Sequence, residues 1–127
     1  MDFVFICVDK TDMKKSIIEY LQQERISFID VGMGIYEENC SLGGILRVTT
    51  STVDNREAAR ARIAFSNDEG DNEYARNIQI AELNALNAAL AVIKWKKLCG
   101  FYHDFDQEHS TTFTINGNLV INSDKKQ

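Results

Sequence analysis

The chain has 127 residues, of which 44% are hydrophobic and 26% charged, and its formal net charge at pH 7 is −5. These values describe one globular domain with enough apolar material for its own core, and the absence of proline excludes collagen-like and proline-rich disordered sequence. The acidic balance disfavours nucleic acid and anionic membranes as partners. No stretch has the length and hydropathy of a signal peptide or membrane span, so the sequence predicts a cytoplasmic protein.

The first third of the chain has the pattern of a β-α-β unit. Residues 3–8 are continuously apolar, which is typical of a strand buried on both faces, and the run ends at Asp9. An amphipathic helix is predicted over residues 11–24, and a second buried strand over residues 26–33. The apolar face of the helix is predicted to consist of Met13, Ile17, Ile18 and Leu21, with Lys14 on the polar face. Strands joined by such a crossover are parallel.

The rest of the chain adds a strand, a connection, a helix and a hairpin. Residues 41–52 are of β type, whereas residues 53–73 are charged and predict a mobile connection with a short possible helix, since few apolar residues are available to anchor it. Residues 74–98 carry apolar side chains almost all round, which predicts a helix about 37 Å long that is packed on several sides, with Gly100 at its C′ position. Asn116-Gly117 lies between two β-type runs and is a strong hairpin signal.

These elements predict one α/β domain over residues 1–127. Its architecture is expected to be a partial doubly wound, Rossmann-like sheet with a β-α-β unit, a long packed helix and a C-terminal β-hairpin.

Asp9 is the residue whose position says most about function. Ligands of open parallel sheets bind beyond the carboxyl ends of the strands, and a carboxylate there can hold Mg²⁺ on nucleotide phosphates. Gly32 and Gly34, at the exit of the second predicted strand, would let the backbone approach the same ligand. Other roles stay open, because Asp9 can cap the following helix and the two glycines can simply permit a turn.

Cysteine and histidine give no evident site. Cys7 and Cys99 are interpreted as small buried residues, whereas Cys40 lies in a polar stretch and can be exposed. No C-x-x-C pair occurs, so no zinc site is expected, and His103 and His109 fit a loop docked by its aromatic residues better than a metal site.

Polar residues inside the predicted elements are mostly interpreted as structural. The asparagines of the long helix, including Asn87, are expected to bond to neighbouring backbone or to a partner helix. Arg47 can contact phosphate, although a solvated position or a pair with a nearby carboxylate is more common. Neither G-x-G-x-x-G nor G-x-x-x-x-G-K-[ST] occurs, so the chain has no evident means of holding β- and γ-phosphates by itself.

Four segments together resemble the C-terminal half of bacterial ThiF-type proteins, which belong to the ThiF/MoeB/HesA group of ubiquitin-activating-like adenylyltransferases. The segments are DFVFICVDK at 2–10, FIDVGMG at 28–34, SLGGILRVT at 41–49 and NIQIAELNALNAALAVIKWK at 77–96. The resemblance covers nearly the whole chain, including the final hairpin. It implies ATP-dependent adenylylation of the C-terminal carboxylate of a ubiquitin-like or sulfur-carrier protein.

The resemblance also implies roles for particular residues. Cys7-Val8-Asp9-Lys10 aligns with the family's C-T-D-N signature, whose aspartate binds the Mg²⁺·ATP complex, and Lys10 departs from the usual asparagine. Asp9 is therefore the expected catalytic and Mg²⁺-binding residue, and Asp9, Lys10, Gly32 and Gly34 form the expected ATP site. Residues 51–73 correspond to the family's crossover loop, under which the Gly-Gly tail of the partner passes, here without the zinc-binding cysteine pair of many members.

Two other functions remain as alternatives. The first is a non-enzymatic interaction module that binds a small protein tail, and the second, made less favourable by the missing dinucleotide fingerprint, is part of a nucleotide-binding oxidoreductase. The glycine-rich nucleotide loop of the ThiF-type family belongs to the half before residue 1, so this chain is expected to be inactive alone. Without that half the first strand would have an open edge, which predicts a homodimer or higher oligomer through that edge or the alanine-rich helix.

Overall fold

The computed structural model describes residues 2–9, 11–68 and 79–125. Within them the elements are β1 (Phe3–Ile6), α1 (Thr11–Gln23), β2 (Ser27–Glu38), β3 (Ser41–Ser51), α2 (Arg56–Asp68), α3 (Ala81–Leu98), β4 (Ser110–Thr114) and β5 (Leu119–Ser123). The strands form a five-stranded sheet in the order β1-β2-β3-β4-β5. The β1–β2 pair is parallel and the other three pairs are antiparallel, so the fold is α/β with a mixed open sheet.

The predicted β-α-β unit is present, with α1 joining the parallel strands β1 and β2. Their register runs from Phe3 opposite Ser27 to Ile6 opposite Asp30. β2 extends beyond the predicted end at residue 33, because β3 pairs with it along its whole length up to Glu38. Beyond Asp30, β2 is therefore paired with β3 but no longer with β1.

Helices cover both faces of the sheet. Adjacent residues of a strand point to opposite faces, so Phe28 and Ile29, both fully buried, belong to different cores. On one face Phe28 packs with residues of β1, α1 and α2, namely Ile6, Ile18, Leu21 and Ile63. On the other face Ile29 packs with Val48 and with Ala91 of α3.

The buried face of α1 differs from the prediction. Ile18 and Leu21 are buried as expected, but Met13 is 55% exposed and Lys14 only 5%. The helix is therefore rotated so that a lysine, and not a methionine, faces the sheet. The reason is a buried acid on β2, which is described below.

The charged segment after β3 is more ordered than predicted. Residues 56–68 form α2, in which Ala59 and Ile63 are both almost fully buried. These two side chains are one helical turn apart, so a single small apolar patch is sufficient to anchor the helix on β3. The short helix that the sequence allowed in this connection is therefore present over residues 56–68, and residues 69–73 lie outside the described residues.

α3 is shorter and more exposed than predicted. It begins at Ala81, because Ile80 is extended with φ −130° and ψ 124°, and its 18 residues span about 27 Å. Its buried residues are Asn87, Ala91 and Lys94, which lie on one face. Residues 74–78 of the predicted helix lie outside the described residues, and packing on several sides is not seen over Ala81–Leu98.

The end of α3 agrees with the sequence. Gly100 has φ +80°, its N–H donates to Lys97, and the N–H of Phe101 donates to Lys96. These are the two bonds of a Schellman motif, in which glycine takes the left-handed position. The predictions that the helix ends at Leu98 and that Gly100 takes the C′ position are confirmed.

The turn between the antiparallel strands β4 and β5 also ties them to the rest of the sheet. The Oδ1 atom of Asn116 accepts a hydrogen bond from the N–H of Gly44 at 2.9 Å, and its Nδ2 atom donates to the hydroxyl of Tyr36. Gly44 has φ +146°, and a Cβ atom there would overlap the carbonyl oxygen of Gly34. This close approach of β2 and β3 is the structural reason for a glycine at position 44.

The cysteines are all exposed. The predictions that Cys7 and Cys99 are buried are therefore wrong. Cys7 follows the last residue of β1 and so has left the strand, and Cys99 is the C-cap of α3, where the helix leaves the sheet.

Candidate functional site

Asp9 lies at the carboxyl end of β1. The strand ends at Ile6, and α1 begins at Thr11, so Asp9 belongs to the short connection between a parallel strand and its crossover helix. Its side chain is exposed. This position is the one that the sequence predicted, although its direction toward Gly32 and Gly34 stays a prediction. Lys10, the next candidate, lies outside the described residues.

Gly32 and Gly34 are not at a strand exit, which corrects the prediction. Both lie inside β2, where Gly32 is opposite Arg47 and Gly34 is opposite Ile45. A Cβ atom at position 32 would overlap the Nη2 atom of Arg47. Gly32 therefore leaves the room in which the guanidinium lies across β2.

A buried charge cluster lies at the same end of the sheet. Asp30 is the register partner of Ile6, the last residue of β1, and its side chain has no solvent exposure. The Nζ atom of Lys14 is 3.0 Å from Oδ1 of Asp30 and donates to Oδ2 at 3.4 Å. The Nη2 atom of Arg47 is 3.9 Å from Oδ2. One carboxylate is thus shared by two cations.

Burial and charge act in opposite directions on Asp30. Burial raises the pKa of Asp30 above its ordinary value of 3.8, while Lys14 and Arg47 act in the opposite direction. Burying an unpaired charge is costly, so the lysine follows the acid into the interior. The side chain of Arg47 is 14% exposed, whereas that of Asp30 has no exposure.

Asn87 links α3 to the same part of β2. Its Nδ2 atom donates to the carbonyl oxygen of Gly32 at 3.0 Å, and the residue is 5% exposed. Gly32 lies two residues beyond the last β1–β2 pair, so the amide of Asn87 supplies a bond where β1 has ended. The prediction that this asparagine bonds to neighbouring backbone is confirmed.

A second charged cluster joins α3 to the segment that follows it. Lys94, 5% exposed, lies 2.9 Å from Oδ2 of Asp104 and 3.7 Å from Oε1 of Glu108. Burial acts to raise the pKa of Asp104, but the hydrogen bond and charge of Lys94 prevail and lower it. His109 directly follows Glu108 in the chain. Burial lowers the pKa of His109, and the positive charge of Lys94 lowers it further. We interpret this cluster as the contact that docks residues 99–109 on α3.

An open groove lies at the other end of the sheet from Asp9. It is lined by the end of α1 and the start of α2, including Glu19, Gln22, residues 53–58 and Arg60. Gln22 and Arg56 cross it, with Nε2 of Gln22 donating to the carbonyl of Arg56 at 3.1 Å and Nη1 of Arg56 donating to the carbonyl of Gln22 at 2.9 Å. None of the predicted site residues lines it.

Two negative findings concern the described part of the chain. No group of three or more histidine, cysteine, aspartate or glutamate side chains there is arranged to hold a metal ion. Nor does any helix within the described ranges combine the length and hydropathy needed to cross a membrane.

Comparison of the chain with known protein families and with curated proteins found no matching family model and no matching protein.

The buried charge cluster is not among the predicted site residues. The pattern of α1 places Lys14 on the polar face of the helix, and Asp30 enters the predictions only within a segment of the family resemblance. The signal was available, because Asp30 interrupts the apolar run Phe28-Ile29-Asp30-Val31. A buried acid needs a cation, and α1 is the element that must pack on a neighbouring strand.

Proposed function

We propose that the chain is part of an ATP-dependent adenylyltransferase that activates the C-terminal carboxylate of a ubiquitin-like or sulfur-carrier protein. The observation that carries the proposal is the exposed Asp9 in the connection three residues beyond the end of a parallel strand, on the side where open α/β sheets bind ligands. In the proposed doubly wound, Rossmann-like arrangement, further parallel strands lie beside the outer edge of β1. The order of the sheet supports this, since β1 is at its end.

Asp9 has the chemistry that a Mg²⁺·ATP complex requires. Magnesium is commonly held by one or two carboxylates together with phosphate oxygens, so a single exposed carboxylate fits. When bound, the ion offsets negative charge on the phosphates. The carrier carboxylate attacks the α-phosphorus, an acyl–phosphate bond forms, and the bond to the β-phosphate breaks to release pyrophosphate. In this proposal Asp9 holds the complex in position for that attack.

The other candidates contribute less directly. Lys10 follows Asp9 in sequence and is proposed to contact ATP. Gly32 and Gly34 lie in the part of β2 that β1 does not cover, and Gly32 also makes room for Arg47. Arg47 is the more exposed of the two cations that pair with Asp30, with 14% of its side chain exposed against 7% for Lys14.

The proposal requires a glycine-rich nucleotide loop from outside these 127 residues, because the sequence contains none. The carrier tail is proposed to pass under part of the segment 51–73. Since residues 56–68 form α2, packed on β3, the covering part must lie around that helix.

The second candidate is a module that binds an extended protein tail without chemistry. It is favoured by β5, the other end strand of the described sheet, where Leu119, Val120 and Ile121 are each about half exposed. An exposed sheet edge can accept an extended peptide as an additional strand. Such a module would need neither Asp9 nor ATP.

ATP–pyrophosphate exchange separates the two functions. The assay contains the chain, a small ubiquitin-like protein ending in Gly-Gly, and a protein that supplies a G-x-G-x-x-G loop. Exchange that requires both the chain and the carrier supports adenylylation, and the control is the same carrier without its final Gly-Gly. Carrier binding without exchange supports the interaction module. Absence of both contradicts both functions.

A further inference from the structure

The outer face of α3, which we define as the stripe from Glu82 to Lys96 centred on Ala89, is exposed in the single chain. Asn87, Ala91 and Lys94 are buried against the sheet, so the stripe lies on the opposite side of the helix. Its large apolar residues are Leu86, Val92 and Ile93, with exposed fractions of 36%, 42% and 42%. A helix so apolar on its solvent side indicates a partner surface.

The stripe is symmetric about its centre. Leu86 and Val92 are each three residues from Ala89, and Ala85 and Ile93 are each four. Glu82 and Lys96 are each seven residues from it, about 10 Å along the axis. Residues at equal distances from Ala89 are thus apolar with apolar, or acidic with basic.

This symmetry identifies the partner. When a second α3 packs antiparallel about a two-fold axis at Ala89, residues at equal distances on either side of Ala89 lie at the same height in the two copies. Leu86 then lies beside Ile93 and Ala85 beside Val92, because the members of each pair are seven residues apart and share one flank of the stripe. Glu82 meets Lys96 at both ends. We propose that the outer face of α3 is the interface of a homodimer, in which two α3 helices pack antiparallel with Ala89 at the centre.

The small central residue lets the two helices approach closely, since alanine adds little bulk at the crossing point. Phe5 extends the apolar surface at the flank of the stripe, where its ring is 6.1 Å from the ring of Trp95. Phe5 itself is 40% exposed. Phe5 therefore extends the proposed α3 interface to the end of β1.

The expected dimer is reversible. About four turns of helix bury less than the roughly 1,200 Å² typical of stable interfaces, so dissociation constants in the micromolar range are expected. The terminal ion pairs lie at the rim, where charge mainly sets register and partner choice. Lys96 makes a cation–π contact near the C-terminal end of α3, where its Nζ atom lies 4.7 Å from the centre of the Phe101 ring.

Charge reversal tests the interface and its antiparallel register together. Sedimentation equilibrium over about 1–100 µM should give a monomer–dimer equilibrium for the wild type. Glu82→Lys and Lys96→Glu each create two like-charge pairs, so each variant should dimerise at least about tenfold more weakly. An equimolar mixture of the two variants should regain dimerisation, because every pair in the mixed dimer is again of opposite sign.

Two further variants complete the test. Glu24→Lys reverses an exposed charge away from the stripe and should leave the equilibrium unchanged. Ala89→Arg places a long charged side chain at the crossing point and should abolish the dimer. Far-UV circular dichroism of each variant establishes that it is folded.

Several results would overturn the inference. The first is a wild type that stays monomeric over the whole concentration range. The second is a dimer that tolerates both single charge reversals and Ala89→Arg, which would indicate pairing of β1 edges or another surface. The third is a mixture of the two charge variants that associates no better than either alone. None of these results depends on ATP, so the proposed enzymatic function would stand or fall separately.

Discussion

Asp30 is the residue on which the β1–α1–β2 unit depends most. It occupies the middle of an apolar strand, it has no solvent exposure, and both of its cations are themselves largely buried. Removing one member of a buried ion pair leaves a desolvated charge, and this costs more than the pair itself contributes. Lys14 is therefore a structural residue, although the sequence places it among the polar residues of a surface helix.

Lys14→Ala should lower the free energy of unfolding by about 3–5 kcal/mol, because among the described residues Asp30 then keeps the more distant Arg47 alone as counter-charge. Urea unfolding followed by circular dichroism measures the change. Lys15→Ala is the matched control, since Lys15 is exposed, and it should change stability by less than about 0.5 kcal/mol. Equal effects of the two substitutions would contradict the buried pair.

His109 predicts how stability responds to mild acid. Burial, followed by the charge of Lys94, lowers the pKa of His109 from its ordinary value of 6.5. Between that value and the lower folded one, the unfolded chain binds more protons, so this contribution to stability is complete above pH 6.5 and is lost as the pH falls. His109→Gln should therefore reduce the loss of stability between about pH 7 and pH 5.

Unfolding curves measured across that pH range test the prediction. His103→Gln is the control, because His103 is exposed and should not affect this pH dependence. If the wild type and His109→Gln lose stability in parallel on acidification, His109 is not responsible for the effect.

At the scale of elements, α2 is where the structure changes the interpretation most. Ile63 is 2% exposed and packs in the same core as Phe28, so Ile63→Ala should lower the free energy of unfolding by about 2–5 kcal/mol. Val53→Ala is the control, since Val53 is 54% exposed and its truncation removes few contacts. A small effect at Ile63, similar to that at Val53, would restore the mobile connection that the sequence predicted.

The sequence predicted elements that are defined by their own local pattern. The apolar run of β1, the amphipathic α1 and the glycine at the end of α3 are of this kind. The prediction of a boundary failed where that boundary depends on a partner element elsewhere in the chain. β2 continues past Gly32 and Gly34 because β3 pairs with it, and α2 forms because two small apolar contacts reach β3 and α1. Neither cause is visible in a local window of sequence.

One part of the candidate site was predictable from the sequence, because it too is defined by a local pattern. Asp9 is placed by the end of an apolar strand, which the sequence displays directly. The neighbouring Lys14, Asp30 and Arg47 come together only when α1, β2 and β3 are assembled, and each of them alone resembles an ordinary polar residue. A charged residue inside a continuous apolar strand is the feature that would have indicated such a cluster.

At the scale of the whole molecule, the two ends of the described sheet have different proposed uses. β1 presents an exposed carboxylate at its carboxyl end and a partly exposed aromatic, Phe5, on its face. β5 presents three consecutive, partly exposed apolar residues, Leu119, Val120 and Ile121. In the account proposed above, the β1 end serves nucleotide chemistry and the adjoining outer face of α3 serves self-association. In this proposal, activity and assembly are separate properties of neighbouring surfaces.

The central claim is that Asp9 holds Mg²⁺·ATP, and the carrier-dependent ATP–pyrophosphate exchange of Asp9→Asn tests it most directly. Asp2→Asn is the matched control, because Asp2 is also exposed but lies at the amino end of β1. The account predicts that Asp9→Asn lowers the exchange rate at least about 100-fold while Asp2→Asn leaves it unchanged. An exchange rate for Asp9→Asn within about twofold of the wild type, with exchange still dependent on this chain, would contradict it.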